Sequence, residues 1–162
     1  MSHVAIWKVP VKSLDILEAA AKRLGGVLVR KQKSFRWFGH WVDDTPIPDG
    51  LFSAVETQRL RAGSREARAK VMNELMSHCD HAISFGPDAY EVGVQKQADG
   101  TYALRWDFFN GALPAKIGKD GLKLMQAYNI EDAKAMSRAQ GYIVTEETRK
   151  DGTVEVVVEV QG

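Results

Sequence analysis

Apolar positions along this chain recur with two different periods, and the switches between them mark its elements. Val4 to Val11 is apolar and β-branched, with Pro10 near its end, which predicts a short strand. Ser13 offers an N-cap, and Leu14, Leu17, Ala21 and Leu24 then recur at the three- and four-residue spacing of an amphipathic helix. Gly25-Gly26 ends that helix, because glycine readily takes the left-handed conformation of a C-cap. Val27-Leu28-Val29 begins a second strand that runs into Arg30-Lys31-Gln32-Lys33 and the cluster Phe35, Trp37, Phe38, Trp41. The segment from Asp43 through Pro46, Pro48 and Gly50 is turn chemistry throughout. Phe52 to Ser77 is rich in Arg, Ala, Glu and Met, all helix formers. Gly63-Ser64 divides it, and Ser64 caps a second helix with Ala67, Val71 and Leu75 on one face.

The period then shortens to two. Ala82-Ile83-Ser84-Phe85 predicts a strand, with Gly86-Pro87 as the turn after it. Tyr90, Val92 and Val94 alternate with polar or small residues, as do Tyr102, Leu104, Trp106 and Phe108 across Asp99-Gly100. Alternation on both sides of Asp-Gly is the strongest short-range hairpin signal. Asp120 is expected to cap a helix carrying Leu122, Leu124, Met125 and Tyr128. Asn129 with Ile130-Glu131-Asp132 resembles a fresh capping arrangement, so a second helix is expected to Gln140, ending at Gly141. A last hairpin joins Tyr142–Thr148 to Thr153–Val160 across Asp151-Gly152, with Val154, Val156, Val158 and Val160 expected on its buried face. Together these elements predict an α+β fold: an antiparallel sheet built from hairpins with helices on one face, ferredoxin-like, plus an inserted basic helical segment at 52–77.

With 162 residues the chain reads as a single domain spanning 1–162, large enough to bury a core without a disulfide or metal. Its single cysteine, Cys79, has no partner within the chain and points to a reducing, cytoplasmic setting. No apolar run approaches the ~20 residues of a membrane span, and no leader pattern opens the sequence. The 22 Lys and Arg against 21 Asp and Glu argue against a dedicated polyanion binder, while leaving room for local patches.

Three segments carry a resemblance. They are the strand and helix from Met1-Ser2-His3 to Leu24-Gly25; the central hairpin Tyr90-Glu91-Val92-Gly93-Val94 with Leu104-Arg105-Trp106-Asp107-Phe108; and the run from Leu124-Met125-Gln126-Ala127-Tyr128-Asn129 through Gly141-Tyr142 to Asp151-Gly152-Thr153. Together they are similar to the small proteins first named hypothetical chloroplast reading frame thirty-five, a domain of unknown function found in algal plastids, cyanobacteria, bacteria and tailed phages. Trp37-Phe38-Gly39-His40-Trp41 and Cys79-Asp80-His81-Ala82-Ile83 look closest to the phage-type members, while the basic stretch Ser53–Ser77 is longer than the matching connection in the plastid ones. The resemblance implies fold and origin and carries no catalytic residues to transfer.

Candidate chemistry falls into three groups. His78, Cys79 and His81, with His3 and Asp107 as distant additions, are ligand types for zinc or iron. Their spacing is neither a paired C-x-x-C nor H-E-x-x-H, so no metal or other cofactor is expected. Cys79 as a nucleophile would need a lowered pKa, yet it follows a helix, whose negative end opposes the thiolate. Asp43, Asp44 and Asp49 sit in turns where aspartate is ordinary, and an ion pair with Arg105 or another basic group accounts for Asp107 without catalysis. The phosphate-binding motifs G-x-x-x-x-G-K-[ST] and G-x-G-x-x-G are missing.

The second and third groups are basic. Lys22, Arg23, Arg30, Lys31, Lys33 and Arg36 occur without an intervening acid and lead into Phe35, Trp37 and Trp41. Cations with interleaved rings suit single-stranded nucleic acid, whereas a solvated edge with its rings in the core is the plain structural alternative. Arg59, Arg61, Arg65, Arg68 and Lys70 are answered only by Glu56, Glu66 and Glu74, which suits an acidic partner or a phosphate backbone. The expectation is therefore a small non-catalytic accessory protein of phage or bacterial origin, binding a protein partner through Arg30, Lys31, Lys33, Phe35, Arg36, Trp37, Trp41 and the basic helix. Single-stranded nucleic-acid binding and a metal-dependent enzyme at His78, Cys79 and His81 are the alternatives.

Overall fold

The structure is a computed structural model that describes residues 4–37, 53–108 and 111–160. Its main sheet is formed by β1 (Val4–Val11), β2 (Val27–Arg30), β3 (His81–Ser84), β4 (Val92–Lys96) and β5 (Tyr102–Asp107). The strand order is β1-β5-β4-β3-β2, and every neighbouring pair is antiparallel. The register of β1 against β5 shifts between Trp7 and Val11, the interval that contains Pro10, a residue with no N–H to give a ladder.

The α+β class is as expected, but the ferredoxin-like order is not adopted. That arrangement places its first strand inside the sheet; here β1 and β2 occupy opposite edges. β3, β4 and β5 form consecutive antiparallel pairs, and with β5 on β1 and β3 on β2 they fill the space between the strands that α1 (Leu14–Arg23) connects. Among the described residues the chain does not return to this sheet after the long helix α5 (Leu122–Ala139), which follows α4 (Ala112–Ile117) and a short 3-10 turn at Lys119–Gly121. It ends in a separate two-stranded ladder of β6 (Ile143–Thr148) and β7 (Val154–Glu159).

The sheet is covered on both faces rather than one. On the first face Leu28, Ile83, Val92, Val94, Leu104 and Trp106 pack with Leu17, Ala20 and Ala21 of α1 and Leu124, Ala127 and Tyr128 of α5. The Tyr128 hydroxyl accepts hydrogen bonds from the N–H groups of Lys12 (3.0 Å) and Ser13 (3.3 Å), pinning α5 to the start of α1. On the opposite face lie Phe35, Trp37, Cys79 and Ala82 with Leu60 of α2 (Ala54–Arg61) and Met72, Leu75 and Met76 of α3 (Arg65–Ser77). The segment read as a solvated basic insertion is therefore also the roof of a second apolar cluster. Ala67, expected on its apolar face, is exposed; the buried stripe runs instead through Met72, Leu75 and Met76.

Two further expectations change. Residues 122–139 form one helix with no break at Asn129, because Tyr128 and Ile130 continue its buried face while Asn129 points to solvent. Asp120 does not cap it: Asp120 sits at φ 54°, and the N-cap is Gly121. In the last ladder Val154 and Val156 are half-buried beside α5, whereas Val158 and Val160 are exposed, since only the first half of β7 reaches that helix. Both Asp-Gly turns share one device: Asp99 and Asp151 each accept from the backbone N–H and the hydroxyl of the threonine two residues on.

The terminal ladder is held by a cluster of opposite charges. Glu146 of β6 pairs with Lys134 of α5 (2.6 Å) and with Arg23 of α1, and Glu131 pairs with both cations. The hydrogen bond from Lys134, then that from Arg23, holds the Glu146 carboxyl below its ordinary range. A carboxylate with a lowered folded pKa contributes stability that is complete above its unfolded pKa of about 4.3 and lost as pH falls through the folded value. Glu146→Gln is therefore expected to cost about 1 kcal/mol in urea melts at pH 7. The gap from the parent protein should shrink as the pH is taken well below 4. An equal gap at both pH values would refute the linkage.

Candidate interaction surface

The α2–α3 helical hairpin is assembled by caps at both helix starts. Ser53 Oγ accepts from the Glu56 N–H (3.2 Å) while the Glu56 carboxylate accepts from the Ser53 N–H (2.8 Å), a reciprocal capping box. Ser64 accepts from the Ala67 N–H (3.3 Å) and starts α3 directly after the Gly63 turn. Leu60, Met72, Leu75 and Met76 are buried beneath the two helices, and each such side chain contributes about 1.5–3 kcal/mol relative to exposure. The outer side is different. Arg59, Arg61, Arg65, Arg68 and Lys70 are all exposed. Among the described residues Arg59, Arg61, Arg68 and Lys70 have no carboxylate at ion-pair distance.

The segment from Arg30 to Trp37 divides in a different way. Arg30, Lys31, Lys33 and Arg36 are exposed, but Phe35 and Trp37 retain only 3% and 8% of their surface. Phe35 lies against Gly93, where an added Cβ would fall 2.4 Å from the ring. These rings fill the second cluster, as the plain structural alternative expects, instead of standing on the surface. Trp41 and His3 lie outside the described residues.

Three of the four cations of this segment also have local partners. Arg30 pairs with Asp15 (2.6 Å) and Glu18 (3.3 Å), Lys33 approaches Asp80 (3.8 Å), and Arg36 donates to the carbonyls of Gly86 and Ala89. The Phe35 N–H donates to the Ser77 carbonyl, which fixes the segment at the C-terminal end of α3. Arg65 opens the same helix, about 18 Å away at 1.5 Å per residue. Arg65 and the Phe35 segment thus sit at opposite ends of α3, with Arg68 and Lys70 along the helix between them.

The histidine–cysteine group does not converge. His78 is the exposed C-cap of α3, and its carbonyl accepts from Arg105 Nη2 (2.8 Å). Cys79 is fully buried, its thiol donates to the Gln32 carbonyl (3.2 Å), and burial pushes its pKa up to about 11. His81 accepts from the Lys31 N–H through Nδ1 (3.0 Å) and meets the edge of the Tyr102 ring. Desolvation lowers its pKa, as fits a neutral acceptor. No group of three His, Cys, Asp or Glu side chains able to hold a metal ion occurs among the described residues.

Arg105 is a residue whose role the sequence pattern concealed. Its position between Leu104 and Trp106 reads as the polar side of a strand, yet it is buried beneath the second cluster. Its guanidinium bonds the His78 carbonyl and the Gln95 amide oxygen, while Nε is buried without a partner among the described residues. A cation spanning β5, β4 and the end of α3 stitches the hairpin of helices to the sheet. Asp107, on the same face of β5, is fully buried.

No family model, curated protein or solved structure matches the chain. No helix among the described residues is long and apolar enough to cross a membrane.

Proposed function

We propose that this protein is a small non-catalytic binding module that docks the acidic surface of a protein partner through α2 and α3. The observation that carries this reading is the group of exposed cations Arg59, Arg61, Arg68 and Lys70. They stand on helices anchored by Leu60, Met72, Leu75 and Met76. Rigidly mounted charge steers association and opposes wrong partners, at the cost of sensitivity to salt. A protein partner is favoured over single strands because Phe35 and Trp37 are buried, and stacking on rings is what lends strands their sequence-tolerant grip. Membership of the plastid, cyanobacterial and phage family, a phage or bacterial accessory role and residence in the cytoplasm belong to the same proposal. They rest on the sequence segments and the lone cysteine.

The test compares the parent protein with R61E/R65E/R68E as baits in extract from the native cell. A protein held by the parent and depleted at least about tenfold by the triple variant, a difference of about 1.4 kcal/mol, is the expected result. Retention of every bound protein by the triple variant would defeat the assignment. Salt-sensitive binding of a labelled single strand that the same variant abolishes would move the reading to nucleic acid.

A further inference from the structure

We propose that the outer edge of β2, with α1 beside it, is a self-association surface on which a second copy of this chain pairs its own β2 antiparallel, joining two sheets into one. This surface is separate from the α2–α3 cations and does not depend on what they bind. β2 ends the strand order, so among the described residues no strand pairs with its outer side. Such an edge offers alternate N–H and C=O groups as a template for another strand. Val27 and Val29 on this edge are 63% and 39% exposed.

The edge is self-complementary in shape. Residues directly opposite in an antiparallel pair share a face. A two-fold axis perpendicular to the sheet keeps both α1 helices on one side. It sets Val27 opposite Val29 of the second copy and Leu28 opposite its own symmetry mate. Both exposed valines are then covered by each other.

The charges fit the same axis. Arg30, at the far end of β2, reaches Asp15 and Glu18 in the first turns of α1, while Lys22 in the last turn lies beside Gly26 and Val27. α1 therefore runs opposite to β2, and the two-fold brings Lys22 of each copy to the Asp15–Glu18 end of the other. Two carboxylates there share one guanidinium and keep an excess negative charge, and Lys22 is exposed with no ion pair among the described residues. An isologous contact requires this kind of reciprocal match. Between α1 and β2 lies an open cleft of about 460 Å³, floored by Ala19 and Leu28, where the side chains of the second α1 would meet it. The ladder of β6 and β7 is a poorer edge, because Glu147 stands opposite Glu155 and Glu159 follows on the same face.

Sedimentation velocity and light scattering on the full chain test the proposal, with circular dichroism confirming that each variant folds. A dimer is expected for the parent protein, weakened tenfold or more by V27K/V29K, which sets lysines against each other across the axis. K22E is expected to weaken it as well, and K22E/E18K to restore it by exchanging the partners. A parent protein that stays monomeric at about 100 µM would overturn the proposal. So would a dimer indifferent to V27K/V29K, one broken instead by Val157→Lys, or a K22E/E18K variant no tighter than K22E alone.

Discussion

Phe35→Ala is expected to destabilise the protein by about 3–5 kcal/mol, the cost of deleting a buried aromatic side chain whose space cannot fully collapse. Phe35 joins three parts of the structure. Its ring lies on Gly93 of the sheet, its backbone N–H bonds the Ser77 carbonyl at the end of α3, and it belongs to the cluster of Leu60, Met72, Leu75 and Met76. The loss should be local before it is global. Amide exchange in α2 and α3 is expected to accelerate first, while β3, β4 and β5 keep the protection given by the α1–α5 side of the sheet. Chemical denaturation with residue-resolved hydrogen exchange measures both. A change under 1 kcal/mol with uniform exchange would show that the ring does not couple the helices to the sheet.

Gly93→Ala is the complementary experiment, since it adds one carbon where Phe35→Ala removes the six carbons of the ring. The new Cβ would stand 2.4 Å from Cδ1 and 2.7 Å from Cε1 of the Phe35 ring, too close for any real contact. The ring is held at 3% exposure, so the strain falls on the packed ring, the strand and α3. Overpacking of this kind costs about 1–3 kcal/mol. The double variant G93A/F35L should be less destabilised than the sum of the two single changes, because leucine withdraws the atoms that the methyl meets. Additive losses in a double-mutant cycle would mean that the two residues do not compete for one space.

Both experiments bear on the candidate surface, because the cations of α2 and α3 are presented only while those helices stay seated. A partner-binding defect in F35A with Arg61, Arg65 and Arg68 intact would follow from lost mounting, whereas the R61E/R65E/R68E defect would follow from lost charge. Thermal melts separate the two: the first variant melts early and the second close to the parent protein.

How much of this was legible in the linear pattern varies with the range of the interaction. The central hairpin and the last one were evident from alternation across Asp99-Gly100 and Asp151-Gly152, and both turns form as read. Ser13 and Ser64 cap helices as read, whereas the capping box at Ser53 was not picked out. The break at Gly63-Ser64 was legible for the same reason, since a cap and a glycine act within a few residues. Asn129 misled because a local capping resemblance competes with a long apolar face, and packing of Tyr128 and Ile130 prevails. The aromatic run at Phe35 and Trp37 misled in another way. Composition shows which side chains can stack on a base, but not whether a glycine on a distant strand has opened a slot for them.

Sequence alone determined the α+β class, the two Asp-Gly hairpins and the helix starts at Ser13 and Ser64, because turn chemistry and hydrophobic period act between near neighbours. Tertiary structure alone decided that β1 and β2 lie at opposite edges and that helices cover both faces of the sheet. It also decided that Arg105 is buried while the cations of α2 and α3 remain in water. Those outcomes depend on pairings between segments far apart in the chain, where many partners satisfy the same local pattern and the burial of one shared core selects among them.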